Sequence, residues 1–405
     1  MGGADVDAIP PHVRGCLDAT AARKRLARMW SADDGAPLTI TSAERQETVF
    51  DARDRCLAVW DLRAQRTDGS ELRTIGVLEA GPDRSSERLY RDDPQLPGLR
   101  EAGDVRALAR RLTLSGLGHL VSAVPVRYHP GRSCVLRYEM AEGHVLYGKL
   151  TTTAADLAAV MSAAHEAGCA RADLPRVPRP VALLDDLGLL LQTEEAGAPL
   201  GACLFPSDSS DRASLEPMRA AGRGIASLHD LSGPPGPQRT MTDDLEGLRG
   251  FEELFDRLLP GLAQRFRDRL QAIAKRSSRL VEAAPVASHG ALRADQLLVG
   301  RHGLAMLDLD GYCWSPPGRD IGNMLAYLDW RAIRRPADVA RARAGQEALL
   351  AGYAEVRSPP GPPELGLWRA LTMLKIAGRR LQGLSLDEWP HLPRLFDEAA
   401  GHAAG

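Results

Sequence analysis

The sequence predicts an α+β chain, with an antiparallel β-sheet in its front part and a mainly helical back part. Three observations predict it. Residues 124–150 hold three β-like runs separated by two tight-turn signals. Residues 215–231, 242–283, 319–355 and 364–384 place apolar residues three or four apart, the spacing of a helix face. Finally, 405 residues with 44% hydrophobic and 26% charged side chains have the composition of a globular protein large enough for two or three domains.

The elements follow in order. Residues 19–30 read as a helix. Residues 56–64 and 72–79 read as two strands about Asp68-Gly69, a hairpin turn signal. The prolyl segment Asp92-Asp93-Pro94-Gln95-Leu96-Pro97-Gly98 marks a connection, and a helix is expected over 102–112. The strongest strand signal is Val124-Pro-Val-Arg-Tyr128, a turn at Pro130-Gly131, Cys134-Val-Leu-Arg-Tyr138, a turn at Glu142-Gly143 and a run over 145–150, which together form a three-stranded meander. An alanine-rich helix over 154–167 and two strands, 181–184 and 187–192, complete the front part. Beyond Thr193-Glu-Glu-Ala-Gly-Ala-Pro199 the pattern is helical. Proline-rich joins at 233–237 and 359–363 break it, as does one β interruption, 296–299 and 304–309, around Gly300-Arg-His-Gly303.

Charge and composition exclude several functions. The 51 basic and 53 acidic residues leave a net charge of -2, which supplies no field to hold a nucleic-acid backbone, so no nucleic-acid partner is expected. No apolar run reaches the roughly 18 residues of a membrane span, and no membrane partner is expected either. The N-terminus lacks the basic-then-apolar order of a secretory signal. The six cysteines form no CxxC pair, which suits reduced thiols and a cytoplasmic setting. Lys24, Lys149, Lys275 and Lys375 are the only lysines, and that scarcity singles out each of them.

The chemistry concentrates in Ser288-His-Gly-Ala-Leu-Arg-Ala-Asp-Gln-Leu-Leu-Val299, followed by Asp308-Leu-Asp310 and Gly318-Arg-Asp-Ile-Gly-Asn323. Over about residues 120–385 the chain resembles the aminoglycoside phosphotransferase and choline kinase superfamily, whose catalytic loop reads roughly HGDxxxxN ahead of a hairpin and an IDFD-like metal motif. The resemblance implies a two-lobed protein-kinase-like fold: residues 1–105 an N-terminal extension with a β-hairpin, 106–192 an antiparallel N-lobe, and 193–405 a helical C-lobe with the loop and metal motif.

By the same resemblance, His289 opens the catalytic loop and is expected to bond its backbone. Arg293 stands where a catalytic-loop lysine would hold the γ-phosphate, with a fork suited to phosphate oxygens. Gln296 stands at the metal-binding Asn, and Asp308 at the metal-binding Asp with Asp310 beside it; carboxylate oxygens suit Mg²⁺. Lys149, on the third meander strand and on one face with Tyr147, is expected to grip the α/β-phosphates, with Glu166 as its ion-pair partner and Asp156 as runner-up. Ser133 closes the His129-Pro-Gly-Arg-Ser133 turn, where a phosphate-covering loop belongs, while Gln192 and Glu194 flank the hinge that meets the base. His229 and Asp320 are expected to support the loop.

One position departs badly from the family pattern. Ala291 occupies the place of the catalytic Asp, and Asp295, the nearest acid in the loop, is the candidate surrogate base. Two functions follow. The first is a phosphotransferase using ATP or another nucleotide with Mg²⁺, acting on a hydroxyl of a small molecule or of a Ser/Thr peptide in a biosynthetic pathway. The second is a nucleotide-binding pseudokinase, a scaffold or partner protein without the base. Asp243, Asp244, Glu246, Glu252 and Glu253 would draw a cationic acceptor, and residues 1–105 are available to a protein partner or a homodimer.

Overall fold

The structure, a computed structural model, describes residues 9–206 and 214–404. The chain divides into two compact units. The first runs to Ala158 and takes in Pro180–Glu194 and Gln382–Leu384; the second is Ala159–Arg179, Glu195–Leu381 and the stretch from Ser385 onward.

The first unit begins with α1 (Pro11–Leu17) and α2 (Ala19–Asp34). The strands β1 (Thr39–Phe50), β2 (Cys56–Gln65), β3 (Glu71–Ala80) and β4 (Ser85–Leu89) form an antiparallel sheet in that order. The expected hairpin is β2–β3, turning at Gly69. β1 gave no signal because Thr-Ile-Thr-Ser-Ala-Glu-Arg-Gln-Glu-Thr-Val-Phe is largely polar and buries only three of its residues. After α3 (Leu99–Ala102) and α4 (Val105–Leu114) come the meander strands β5 (Leu120–His129), β6 (Ser133–Met140) and β7 (Val145–Thr151). The helix α5 (Ala154–Ala170) precedes β8 (Pro180–Leu184) and β9 (Leu189–Thr193), and β9 inserts between β7 and β8 to give the order β5-β6-β7-β9-β8.

The two sheets share one core. Val59, Ile75 and Val77 of the first sheet pack in a single cluster with Tyr128, Leu136 and Tyr138 of the second. Both tyrosines are fully buried yet keep their hydroxyls satisfied: Tyr128 donates to Asp93 Oδ2 at 2.6 Å and Tyr138 to the Ala102 carbonyl at 2.9 Å. Asp93 also accepts the Gly131 N–H at 2.6 Å, and Glu47 of β1 pairs with His129 at 2.7 Å. Residues of the extension therefore clamp the β5–β6 turn from both ends.

The second unit holds β10 (Ala198–Pro199), α6 (Leu200–Leu204), α7 (Glu216–His229), α8 (Met241–Arg249), α9 (Glu252–Leu258) and α10 (Pro260–Ser277). The short strands β11 (Val286–Ser288), β12 (Leu297–Gly300), β13 (Gly303–Met306) and β14 (Cys313–Ser315) follow, then α11 (Gly318–Arg334), α12 (Val339–Ala354), α13 (Pro362–Gln382) and α14 (Leu392–Ala404). The expected helical stretches 242–283 and 319–355 are broken into three and two helices. Prolines fall at two of the three breaks, Pro260 starting α10 and Pro336 separating α11 from α12, because proline lacks the N–H that would continue the helix. The β interruption at 296–309 is the hairpin β12–β13, and a second pair, β11–β14, brackets it. Three residues per strand are too few to show periodicity.

Two packing features fix this unit. The helices α7 and α12 cross at glycines: a Cβ at Gly222 would overlap the Leu349 carbonyl, and one at Gly352 the Arg219 carbonyl. Trp368 of α13, fully buried, covers Gly318 and Gly322 at the start of α11. Among the described residues, no helix is long and apolar enough to cross a membrane.

Candidate active site

The loop between β11 and β12 carries His289 to Gln296, and Asp320 of α11 organises it. Asp320 is fully buried and accepts two successive backbone N–H groups, from His289 at 2.7 Å and Gly290 at 2.8 Å. His229, at the end of α7, sits 3.4 Å from the same carboxylate and is held on its other side by the Tyr353 hydroxyl at 2.9 Å. Burial works against ionisation of Asp320. The hydrogen bond from His229 and the charges of His229, His289 and Arg319 outweigh it, so the carboxyl is held below its ordinary range. The chain reverses at Gly290 with φ +81°, and a Cβ there would run into the Gly311 carbonyl, so only glycine fits.

Further bonds fix the rest of the loop. His289 Nε2 lies 2.9 Å from the Leu307 carbonyl, next to Asp308, and Asn323 Nδ2 donates to the Leu292 carbonyl at 2.6 Å. Gln296 is buried and bridges two elements: its Oε1 accepts the Arg293 N–H at 2.9 Å, and its Nε2 donates to Asp308 Oδ2 at 3.0 Å. The Arg293 N–H can only donate, which fixes the amide orientation. The group facing Asp308 is thus the amide nitrogen, whereas a metal ligand at this position would present its oxygen.

Asp308 itself has a left-handed backbone, φ 66° and ψ 54°, a conformation that costs a non-glycine residue about 1 kcal/mol or more. It starts the short turn that carries Asp310. The Arg293 guanidinium lies over the Tyr327 ring at 5.5 Å, and its Nε sits 3.3 Å from Asp295, whose side chain is two-thirds exposed. Ala291 is half-exposed, with its Cβ against Gly311.

The remaining sequence candidates lie in other elements. In the first unit, Lys149 is on β7, opposite Val135 of β6 and Leu190 of β9, and it shares a half-buried face with Tyr147. The Tyr147 hydroxyl reaches Glu194 at 3.4 Å, and Gln192 is the strand partner of Tyr147. Ser133 is buried at the start of β6, opposite Thr151. Glu166 and Asp156 are exposed positions of α5.

Among the described residues there is no cluster of three or more His, Cys, Asp or Glu side chains able to cage a metal. Two carboxylates in one short turn suit instead an ion that keeps waters and brings phosphate oxygens with it, which is the usual habit of Mg²⁺. Sequence reasoning missed the bracing of the β5–β6 turn by Asp93 and Glu47. Asp93 lay within a segment whose prolines signalled only a connection, and Glu47 lay in an unrecognised strand.

No curated protein matches the chain by sequence. Among solved structures it is similar to a spectinomycin phosphotransferase in complex with ADP and spectinomycin, with a TM-score of 0.52 and 10% identity, covering 74% of this chain and 98% of that one. It is also similar to an amicoumacin kinase in complex with AMP-PNP, Ca²⁺ and its ligand, with a TM-score of 0.53 and 14% identity, covering 75% and 96%. These likenesses show the fold, which is protein-kinase-like. The model of the phosphotransferase enzyme family matches residues 146–358, more than half of the sequence and including the whole loop and metal motif, and the chain belongs to that family.

Proposed function

We propose that the protein transfers a phosphoryl group from ATP or another nucleoside triphosphate, with a divalent cation, to a hydroxyl of a small molecule. The observation that carries this reading is Asp308. A strained, left-handed aspartate whose carboxylate is oriented by a buried glutamine of the neighbouring loop is the kind of outlier that persists where a side chain must be aimed. Two structural relatives were solved with adenine nucleotides, one of them with Ca²⁺, which supports the same cofactors here.

In this reading Asp308 and Asp310 hold the cation, which neutralises charge on the phosphates when bound. Gln296 aims Asp308 and ties it to the loop. Arg293, steadied by Tyr327 and by the exposed Asp295, offers its fork to the transferred group, and Lys149 takes the remaining phosphates. Gln192, Glu194 and Ser133 border the nucleotide. His289 and Asp320 hold the loop. Ala291 supplies no carboxylate for the acceptor hydroxyl, an omission that costs about 10²–10⁴ in rate where a general base operates. Positioning and charge neutralisation carry most of this chemistry, so turnover is slowed and not abolished.

The absence of that carboxylate is also what favours the second reading, a nucleotide-binding protein without turnover. Release of ADP from Mg·ATP against a panel of hydroxylated metabolites and Ser/Thr peptides separates the two. Transfer that disappears in Asp308→Ala supports the enzyme; tight Mg·ATP binding with no acceptor-dependent ADP refutes it.

A further inference from the structure

Two acids of α8, Asp243 and Asp244, are already engaged. Asp243 caps its own helix, accepting from the Thr240 backbone N–H at 2.7 Å and the Thr240 hydroxyl at 2.8 Å. Asp244 accepts Arg319 Nε at 3.0 Å and Nη2 at 3.1 Å. Arg319 borders the catalytic loop: its Nη1 reaches Cys313 Sγ at 3.1 Å and lies 3.0 Å from where a Cβ on Gly290 would be, and Cys313 is the ladder partner of Ser288.

A second cation faces this cluster. Lys375 is the one residue between Ala370 and Gly378 of α13 that is not buried. It lies on the helix face of Trp368, which covers the start of α11, and of Gly378, which abuts the Phe251 ring just after α8. That face directs Lys375 toward Asp244 and Arg319. Among the described residues no hydrogen bond or ion pair engages it. Burial pulls its ammonium down to about 8; Asp244 opposes the shift, Arg379 and Arg319 add to it, and the Cys313 thiol is the remaining titratable neighbour. Asp244 is committed to Arg319 and Asp320 to the loop backbone, which leaves Lys375 no carboxylate of its own. A half-buried ammonium without a counter-ion is unfavourable, and an anion relieves it.

We propose that Lys375 determines acceptor specificity: the acceptor carries an anionic group, a carboxylate or a phosphate, which pairs with Lys375 beside Arg319 at the edge of the Gly290-Ala291 turn. The role as acceptor subsite rests on the phosphotransferase reading, whereas the anion binding does not.

The chain's four lysines permit a direct test. Reductive ¹³C-methylation gives a sparse spectrum in which Lys375→Gln identifies the Lys375 signal. Glycerate, glycerol 3-phosphate and ethanolamine are then titrated in at millimolar concentration. The Lys375 signal is expected to move saturably with one or both anions and not with ethanolamine. Its midpoint should rise in the complex, and affinity should fall about tenfold for each pH unit between the free and the bound midpoint. By calorimetry on unmodified protein, Lys375→Gln is expected to lose the affinity and Lys375→Arg to retain it. A Lys375 signal indifferent to both anions, or moved only by ethanolamine, overturns the proposal, as does unchanged anion affinity in Lys375→Gln. An inert protein that still binds the anion refutes the phosphotransferase reading alone; an active one whose Lys375 ignores anions refutes the subsite alone.

Discussion

Replacing Asp320 with alanine removes one fully buried carboxylate and leaves three groups behind. The N–H groups of His289 and Gly290 lose their acceptor, at 2.7 and 2.8 Å, and His229 loses the partner opposite Tyr353. A buried donor left unsatisfied costs about 1–3 kcal/mol, so the two backbone groups alone predict a loss of about 2–6 kcal/mol. Folded domains hold about 5–15 kcal/mol in total. Urea unfolding followed by tryptophan fluorescence measures the loss, because Trp314, Trp330, Trp368 and Trp389 all report from the second unit. The pH dependence has a definite sign. The folded-state pKa of Asp320 is depressed, so its stabilisation is fully present above the ordinary carboxylate range and is lost only as pH falls through the lower folded value. The gap between wild type and variant should therefore stay constant from pH 6 to 8, at about the size given, and close only in acid. A loss below about 1 kcal/mol at neutral pH would refute the account of the loop as hung from this residue.

Three further outcomes are expected. Gly352→Ala should destabilise the second unit by about 1–3 kcal/mol, since its methyl meets the Arg219 carbonyl; an unchanged melting temperature counts against the tight crossing. Gln296→Leu, which removes both amide bonds at little change in volume, should lower kcat for any acceptor that is turned over and weaken cation dependence, read from the Mg²⁺ titration of ADP release; an identical Mg²⁺ curve would remove its aiming role. Asp93→Ala should cost about 2–4 kcal/mol in the first unit, because the buried Tyr128 hydroxyl and the Gly131 N–H both lose an acceptor, with protease nicking near residue 131 as a second readout.

Long periodic runs and turn dipeptides were legible. The β2–β3 hairpin, the meander and the principal helices lie where alternation and 3.6-residue spacing put them. Elements whose stability comes from partners were not. β1 is held by pairing with β2 and by burial of only a few residues, and β11 and β14 are too short to carry a period. In the loop, residue types announced the motif, but the orientation of the Gln296 amide depends on one backbone N–H that sequence does not display. The pairing of one acid at α8 was hidden for a similar reason: Asp244 is answered by Arg319, 75 positions away. Lys375 stood out only by the rarity of its type.

The glycine contact between α7 and α12 reaches further than helix packing. His229 ends α7, Tyr353 follows Gly352 on α12, and the bond between them orients the imidazole that addresses Asp320. The spacing of two helix axes is in this way a mechanical setting for the turn at Gly290. A single methyl group inserted between them would be felt at Gly290 through a relay of three side chains, so substitutions that disable the loop need not lie anywhere near it.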